Sequence, residues 1–294
     1  MKPAPFDYYR PDTLEEALEL LAQHGSEGKL LAGGQSLLPI LNMRLSVQGC
    51  LIDINHLKDL AYIRLEDGWL HIGALTRQRD LEKSDLVRAH APLIAEAVPF
   101  IGHVQTRNRG TVGGSLVHAD PTAELPLSFL ALDGVAVIES AEGKREVALQ
   151  DFFVTYLTTD VATDELLTEV KIPVNTVPRG YAFTEFSRRH GDFAMVDAGC
   201  VLGVDPDHRV TSTRLVIGGV DAVPVVVDSV AELLQGQKLS ESLLDELSLL
   251  ACDNIDPEGD LHGSREYRMN LARVYVKKAV RTAYLRASGR EELE

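Results

Sequence analysis

Two stretches of paired glycines constrain this chain more than any other feature. Leu31-Ala32-Gly33-Gly34-Gln35-Ser36-Leu37 and Gly110-Thr111-Val112-Gly113-Gly114-Ser115 each set two glycines beside a hydroxyl residue. The second runs on into His118-Ala119-Asp120-Pro121-Thr122-Ala123-Glu124-Leu125. Glycine has no Cβ, so its backbone N–H can come close to an anion. Successive N–H groups of this kind form concave nests for phosphates. Two such stretches, read as loops, predict a diphosphate held from two sides. An ordinary glycine turn is the competing reading for either stretch alone.

Two better-known phosphate signatures do not fit. Asp53 lies at the end of the strand after the first stretch, where a ribose-binding acid of a dinucleotide fold would sit. The spacing is Gly-Gly-Gln-Ser-Leu-Leu, however, not G-x-G-x-x-G, and Pro39 shortens the helix that would face a pyrophosphate. A P-loop is excluded because no Gly-Lys-Ser/Thr follows.

The 294 residues suffice for about two domains. The net charge of −15 excludes nucleic acid and anionic membrane as partners, which need a basic footprint. Cys50, Cys200 and Cys252 are far apart and match no metal or redox spacing, so the chain is expected to carry no iron–sulfur cluster or zinc of its own. No leader-like or membrane-length apolar run is evident, and a cytoplasmic protein is expected.

Taken in order, Thr13-Leu14-Glu15-Glu16 has capping-box spacing, and Leu14, Ala17, Leu18 and Leu21 recur with helical period up to Gly25. Short strands over 29–32 and 51–54, with only a brief helical turn after Pro39, give a compact β-α-β-like opening. Asp67-Gly68 joins strands 61–65 and 69–72 in a hairpin. Thr76 is expected to cap a helix ending near Lys83, and a helical pattern covers 86–101 despite Pro92 and Pro99. A helix over 124–132, a hairpin across Glu142-Gly143 and a strand over 165–172 follow. The prolines and glycine between Pro173 and Gly180 mark a domain boundary. Beyond it, strands over 181–188, 196–204 and 210–217 predict a small antiparallel sheet, backed by helices over 230–234, 240–251 and 264–287.

The glycine stretches resemble the two flavin motifs of the FAD-binding medium subunit of molybdenum hydroxylases, the carbon monoxide dehydrogenase and xanthine dehydrogenase family. Arg107-Asn108-Arg109-Gly110-Thr111, Asp120 to Pro126, Asp151-Phe152-Phe153, Glu165-Leu166-Leu167 and Arg188 to Ala194 extend the resemblance in order along nearly the whole chain. It implies an α+β fold: a two-subdomain FAD-binding domain of PCMH type over 1–175, then a small antiparallel-sheet-plus-helices domain over 179–288. It implies FAD contacts from Leu31, Ala32, Gly33, Gly34, Gln35, Ser36 and Leu37, and from Thr106, Gly110, Thr111, Gly113, Gly114 and Ser115. It adds His118 and Asp120 along the loop, Glu124 on the ribityl hydroxyls, Leu167 near the ring system and Phe193 over the isoalloxazine face.

No catalytic acid, base or nucleophile is implied on this chain. The implied role is an oxidoreductase flavoprotein subunit that passes electrons from two [2Fe–2S] clusters on a small partner, through FAD, to an external acceptor. A large partner would carry the molybdopterin cofactor, in a dimer of heterotrimers. The alternatives are a standalone FAD-dependent oxidase or reductase of the same two-loop fold, and a module in which the glycines are only structural turns. Two positions depart from relatives, which often have Asp or Asn at Ser115 and in some cases Lys at Glu185.

Overall fold

The computed structural model describes residues 2–174 and 179–293. Strands β1 (Asp7–Tyr9), β2 (Gly28–Leu31) and β3 (Cys50–Asp53) make a parallel sheet in the order β1-β3-β2. The helix expected between β1 and β2 spans Leu14–His24, with Thr13 Oγ1 accepting the Glu16 N–H at 3.2 Å. Gly25 stops it at φ 52°, a conformation that favours glycine. Ala17, Leu18 and Leu21 bury one helix face against Cys50 and Ile52. Pro39 leaves only the short helix Leu37–Asn42 between β2 and β3.

A second, antiparallel sheet follows. Strands β4 (Ile63–Glu66) and β5 (Trp69–Gly73) form the expected hairpin. Its turn residues Asp67 and Gly68 sit at φ 49° and 79°, the signs of a type I′ turn. Strands β6 (Val135–Ser140) and β7 (Gly143–Ala148) form another, and because Gly143 pairs with Ser140 the turn is Ala141-Glu142, one residue before the expected one. After the ribbon of β8 (Phe153–Thr155) and β9 (Thr158–Thr159), strand β10 (Leu166–Pro173) inserts between the hairpins, giving the order β4-β5-β10-β6-β7.

Two local expectations are corrected. The pattern over 86–101 breaks at its prolines into the helices Asp85–His90 and Pro92–Ala97 and a 3₁₀ turn, Val98–Phe100. Proline has no N–H to continue the ladder. Thr76 caps no helix: its Oγ1 accepts the Tyr62 N–H at 3.1 Å and donates to the Tyr62 carbonyl at 2.9 Å, and the helix Gln78–Lys83 starts beyond it.

Strands β11 (Gly180–Phe186), β12 (Val196–Val204), β13 (Val210–Gly218) and β14 (Val225–Val226) form the C-terminal antiparallel sheet, in that order. The helices Asp228–Leu234, Glu241–Cys252 and Arg265–Ser288 follow. The expected boundary at 173–180 includes residues 175–178, which lie outside the described residues. Sequence patterning predicted a sheet backed by helices, yet both faces are covered. Ala182, Ala198, Cys200 and Leu215 face the C-terminal helices. Phe183, Val201 and Val216 belong to the core of the preceding sheet and its helices, with Leu93, Leu127 and Phe129. Period-2 alternation sends neighbouring residues to opposite faces, so one strand feeds two cores. Glu96 bolts the seam: Oε2 accepts the Phe183 N–H at 3.2 Å and Oε1 pairs with Arg286 at 2.6 Å.

The C-terminal helix lies so close to β11 that a Cβ on Gly180 would overlap the Ala283 carbonyl oxygen. Gly180→Ala should therefore cost about 3 kcal/mol of stability. A lower urea midpoint at unchanged slope checks this, and a wild-type midpoint would contradict it.

Candidate functional site

Leu31 closes β2 at the carboxyl end of the parallel sheet, the edge where such sheets bind ligands. The chain then turns through Gly34 at φ 70° and enters the helix at Leu37. Leu38 and Ile40 N–H groups donate back to the Gly34 and Ser36 carbonyls, each at 3.2 Å. The carbonyls of this stretch thus point into the fold. The N–H groups of Gly33, Gly34, Gln35 and Ser36 find no acceptor among the described residues.

The second stretch is built differently from the expected loop. Gly113 and Gly114 lie inside a helix, Val112–His118, that Thr111 caps by accepting the Gly114 N–H on Oγ1 at 3.1 Å. The Val112 N–H donates to Thr76 O at 3.0 Å, Gly113 to Ala74 O at 2.8 Å and Ser115 to Thr111 O at 3.1 Å. The amides of Val112 to Ser115 are therefore engaged, and Gly113 serves close packing: a Cβ there would sit 2.6 Å from the Ala74 Cβ. Gly114 is exposed, so this helix start presents bare backbone and the Ser115 side chain beside the first stretch. A Gly-Gly pair reads alike in sequence whether it opens a nest or a helix; the cap at Thr111 decides which.

The two stretches touch through Gly33. A Cβ there would overlap the Arg109 carbonyl oxygen and lie 2.8 Å from the Gly110 Cα. Two residues that sequence reasoning did not select hold this contact. Asn55 Nδ2 donates to the Ala32 carbonyl at 2.7 Å, and its Oδ1 accepts from Arg77 Nη2 at 2.8 Å. Arg77 Nη1 donates to the Arg109 carbonyl at 2.6 Å. The available cue was Asn55's place just beyond a parallel strand. Asp53, the ribose-acid candidate of the discarded dinucleotide reading, instead accepts from Tyr8 OH at 2.6 Å and from Asn55 Nδ2 at 2.6 Å.

The remaining expected residues scatter more. Thr106 accepts the Gly110 N–H at 2.7 Å and so shapes the approach to the second stretch. Arg107, from the same motif, is buried on Glu82 at 2.9 Å and on the Ile101 carbonyl at 3.0 Å, a clamp on that approach. His118 ends the capped helix half-buried, and burial lowers its pKa. Asp120 Oδ1 accepts from the Thr122 N–H at 2.9 Å and hydroxyl at 2.7 Å, fixing the turn before Glu124. Leu167 is buried in the main core, so its side chain faces the protein. Phe193 is 76% exposed, which rules out a core role. Its loop rests on the N-terminal part, with His190 and His103 rings 6.2 Å apart.

Glu124 is only 8% exposed, and burial, with Glu185 and Asp120 nearby, pushes its carboxyl up to about 8. Glu185 and Asp197 are cross-strand partners on the sheet face turned toward the N-terminal part. Burial raises Glu185 to about 7. Asp197 is fully buried, neither of its carboxylate oxygens has a hydrogen-bond partner among the described residues, and burial followed by Glu124 and Glu185 raises it well above the carboxylate range. Like charges this close in a dry seam cannot all ionise. Protons on this cluster stabilise the folded chain and are released more easily on unfolding. Stability from these groups is full below about 4.5 and is lost as pH rises toward about 8. Asp197→Asn, which keeps the neutral shape, should raise the Tm at pH 8 by much more than at pH 5, because the loss for an aspartate sets in above its ordinary value of 3.8. An equal shift at both pH values would contradict the assignment.

Residues 4–175 match the family described as the FAD binding domain in molybdopterin dehydrogenase, and residues 181–283 match the CO dehydrogenase flavoprotein C-terminal domain. The chain belongs to the FAD-binding medium subunits of molybdenum hydroxylase-type dehydrogenases. It is 38% identical to the 6-hydroxypseudooxynicotine dehydrogenase complex subunit alpha of Paenarthrobacter nicotinovorans, over 99% of both chains. Among solved structures, it superposes with a TM-score of 0.95 on carbon monoxide dehydrogenase from Hydrogenophaga pseudoflava, at 33% identity over 97% of this chain and 99% of that one. For quinoline 2-oxidoreductase from Pseudomonas putida 86 the TM-score is 0.94, at 32% identity over 98% and 100%.

The residues present fit FAD. The N–H row at Gly33 to Ser36 suits a diphosphate, bare backbone at Gly33 lets the two stretches meet, and Gly114 leaves exposed backbone at the start of the second helix. Gly33→Ala should force the two stretches apart. The purified variant should carry less than a tenth of the wild-type flavin, read from absorbance per chain, and full occupancy would contradict this.

Proposed function

We propose that this chain is an electron-transfer subunit, taking electrons from [2Fe–2S] clusters on a small partner and passing them through FAD to an external acceptor. A large partner with the molybdopterin cofactor oxidises the substrate, and the complex is a dimer of heterotrimers in the cytoplasm. The observation that carries this reading is the row of unengaged N–H groups at Gly33 to Ser36, held against the second glycine stretch. Support also comes from relatives named as subunits of dehydrogenase complexes. The three cysteines are free and buried, Cys50 in β3, Cys200 in β12 and Cys252 at a helix end. Among the described residues no helix is long and apolar enough to cross a membrane.

In this reading residues 1–175 bind FAD and 179–288 cover it. Ala32 to Leu37 hold the diphosphate through backbone N–H groups, with the Ser36, Thr111 and Ser115 hydroxyls beside them. Glu124 meets the ribityl hydroxyls; a carboxyl that titrates near neutral pH can donate as well as accept there. Phe193 lies over the flavin ring and shields it from water. Flavin, when bound, accepts electrons singly and delivers them in pairs, while the protein binds and orients it.

A visible spectrum tests this. The chain alone should show flavin bands and turn over no substrate, and the complex isolated from its native cell should add iron–sulfur absorption and molybdenum. Substrate turnover by the chain alone would replace this reading with a standalone oxidoreductase. A colourless chain that FAD cannot reconstitute would reject both.

A further inference from the structure

Within itself the first glycine stretch has the helix-entry bonds on the Gly34 and Ser36 carbonyls and the bond from Gln35 Nε2 to the Gly33 carbonyl, each at 3.2 Å. Its one strong tether is Asn55, whose Nδ2 reaches the Ala32 carbonyl at 2.7 Å and the Leu31 carbonyl at 3.4 Å. Asn55 is itself fixed on both sides. Its N–H donates to Asp53 Oδ1 at 3.0 Å, and Tyr8 OH holds Asp53 Oδ2 at 2.6 Å. Its Oδ1 takes Arg77 Nη2 at 2.8 Å, and the other end of that guanidinium holds the Arg109 carbonyl at 2.6 Å. One relay thus runs from β1 and β3, beneath the first glycine stretch, to the lead-in of the second.

Peptide geometry gives this relay a directional consequence. A trans peptide points its C=O and N–H in opposite directions. Pinning the Ala32 carbonyl to Asn55 therefore turns the Gly33 N–H, which has no acceptor among the described residues, away from Asn55. Charge adds a second effect. Arg77 and Arg109 lie near enough to repel, and Arg109 adds to burial in lowering the Arg77 pKa. Two guanidinium groups at the seam of two glycine stretches, in a chain of net charge −15, suit a dianionic group between them.

We propose that Asn55 and Arg77 are positioning residues for the FAD diphosphate: Asn55 aims the first glycine stretch, and Arg77 fixes its distance from the second while supplying positive charge. The proposal rests on FAD binding at these stretches and names side chains that act on it through the backbone.

The test uses the full chain stripped of flavin and titrated with FAD, with the Kd read from flavin fluorescence at several salt concentrations. Wild-type affinity should fall with rising salt, as screening weakens the Arg77 contribution. Asn55→Ala should weaken FAD about tenfold, in line with loss of an interaction worth about 1.4 kcal/mol, and keep the wild-type salt slope. Arg77→Met should weaken FAD at least as much and flatten the slope. Arg77→Lys should restore the slope and part of the affinity. The double variant Asn55→Ala/Arg77→Met should lose less than the sum of the two, because the pair acts as one strut.

A structural role alone would lower the Tm of the flavin-free variants without changing the salt slope. If Asn55→Ala fails to fold, the comparison of Arg77→Met with Arg77→Lys carries the test. Wild-type affinity in Arg77→Met, or an unchanged slope in both Arg77 variants, would overturn the proposal. Failure of the wild-type chain itself to bind FAD would instead overturn the functional reading beneath it.

Discussion

Backbone-to-backbone contact at Gly33 is the constraint on which the rest of the site depends. The first glycine stretch belongs to a parallel sheet and the second follows an antiparallel one, and the two meet where any side chain would overlap the Arg109 carbonyl. Several otherwise unrelated features serve this contact. Arg107 clamps the segment before Arg109 against Glu82 and the Ile101 carbonyl. Residues 110–113 pair with 74–78, through Gln78 N–H to Gly110 O at 2.9 Å and Gly113 N–H to Ala74 O at 2.8 Å. The second sheet thus delivers one wall of the cradle and the first sheet the other.

The two stretches do different work despite their shared composition. In the first, helix entry engages the Gly34 and Ser36 carbonyls and leaves the N–H groups of Gly33 to Ser36 without an acceptor among the described residues. In the second, Thr111 caps the helix and takes up the donor that a nest would have offered. A backbone N–H has one proton to donate, so an amide that closes a cap is not also free for an anion. The backbone donors without an acceptor among the described residues are therefore more numerous on the first stretch, at Gly33 to Ser36, than on the second.

The C-terminal sheet joins the site through burial. Strand β12 sends Ala198 and Cys200 to its own helices and Gly199 and Val201 to the preceding domain. The same alternation carries Asp197 and its neighbour Glu185 into the seam beside Glu124. Buried carboxyls without partners are unstable as anions, which ties the protonation of this seam to the packing of the two domains.

The sequence by itself determined those elements whose signals act locally. Capping residues, prolines and the Asp67-Gly68 turn act within a few residues, so their effects on the Leu14–His24 helix, on Leu37–Asn42 and on the β4–β5 hairpin were readable locally. The paired glycines at 33–34 likewise announced an open backbone. Tertiary structure decided what depends on neighbours distant in the chain. Thr76 looked like a cap until Tyr62 claimed its hydroxyl, and Asp53 looked like a ligand until Tyr8 and Asn55 claimed its oxygens. Asn55 and Arg77 carry no motif; they matter because folding sets Ala32 and Arg109 on either side of them. For Glu124 the resemblance implies only a place on the ribityl hydroxyls, and it is folding, which buries it with Glu185 nearby, that removes the water that would keep it ionised.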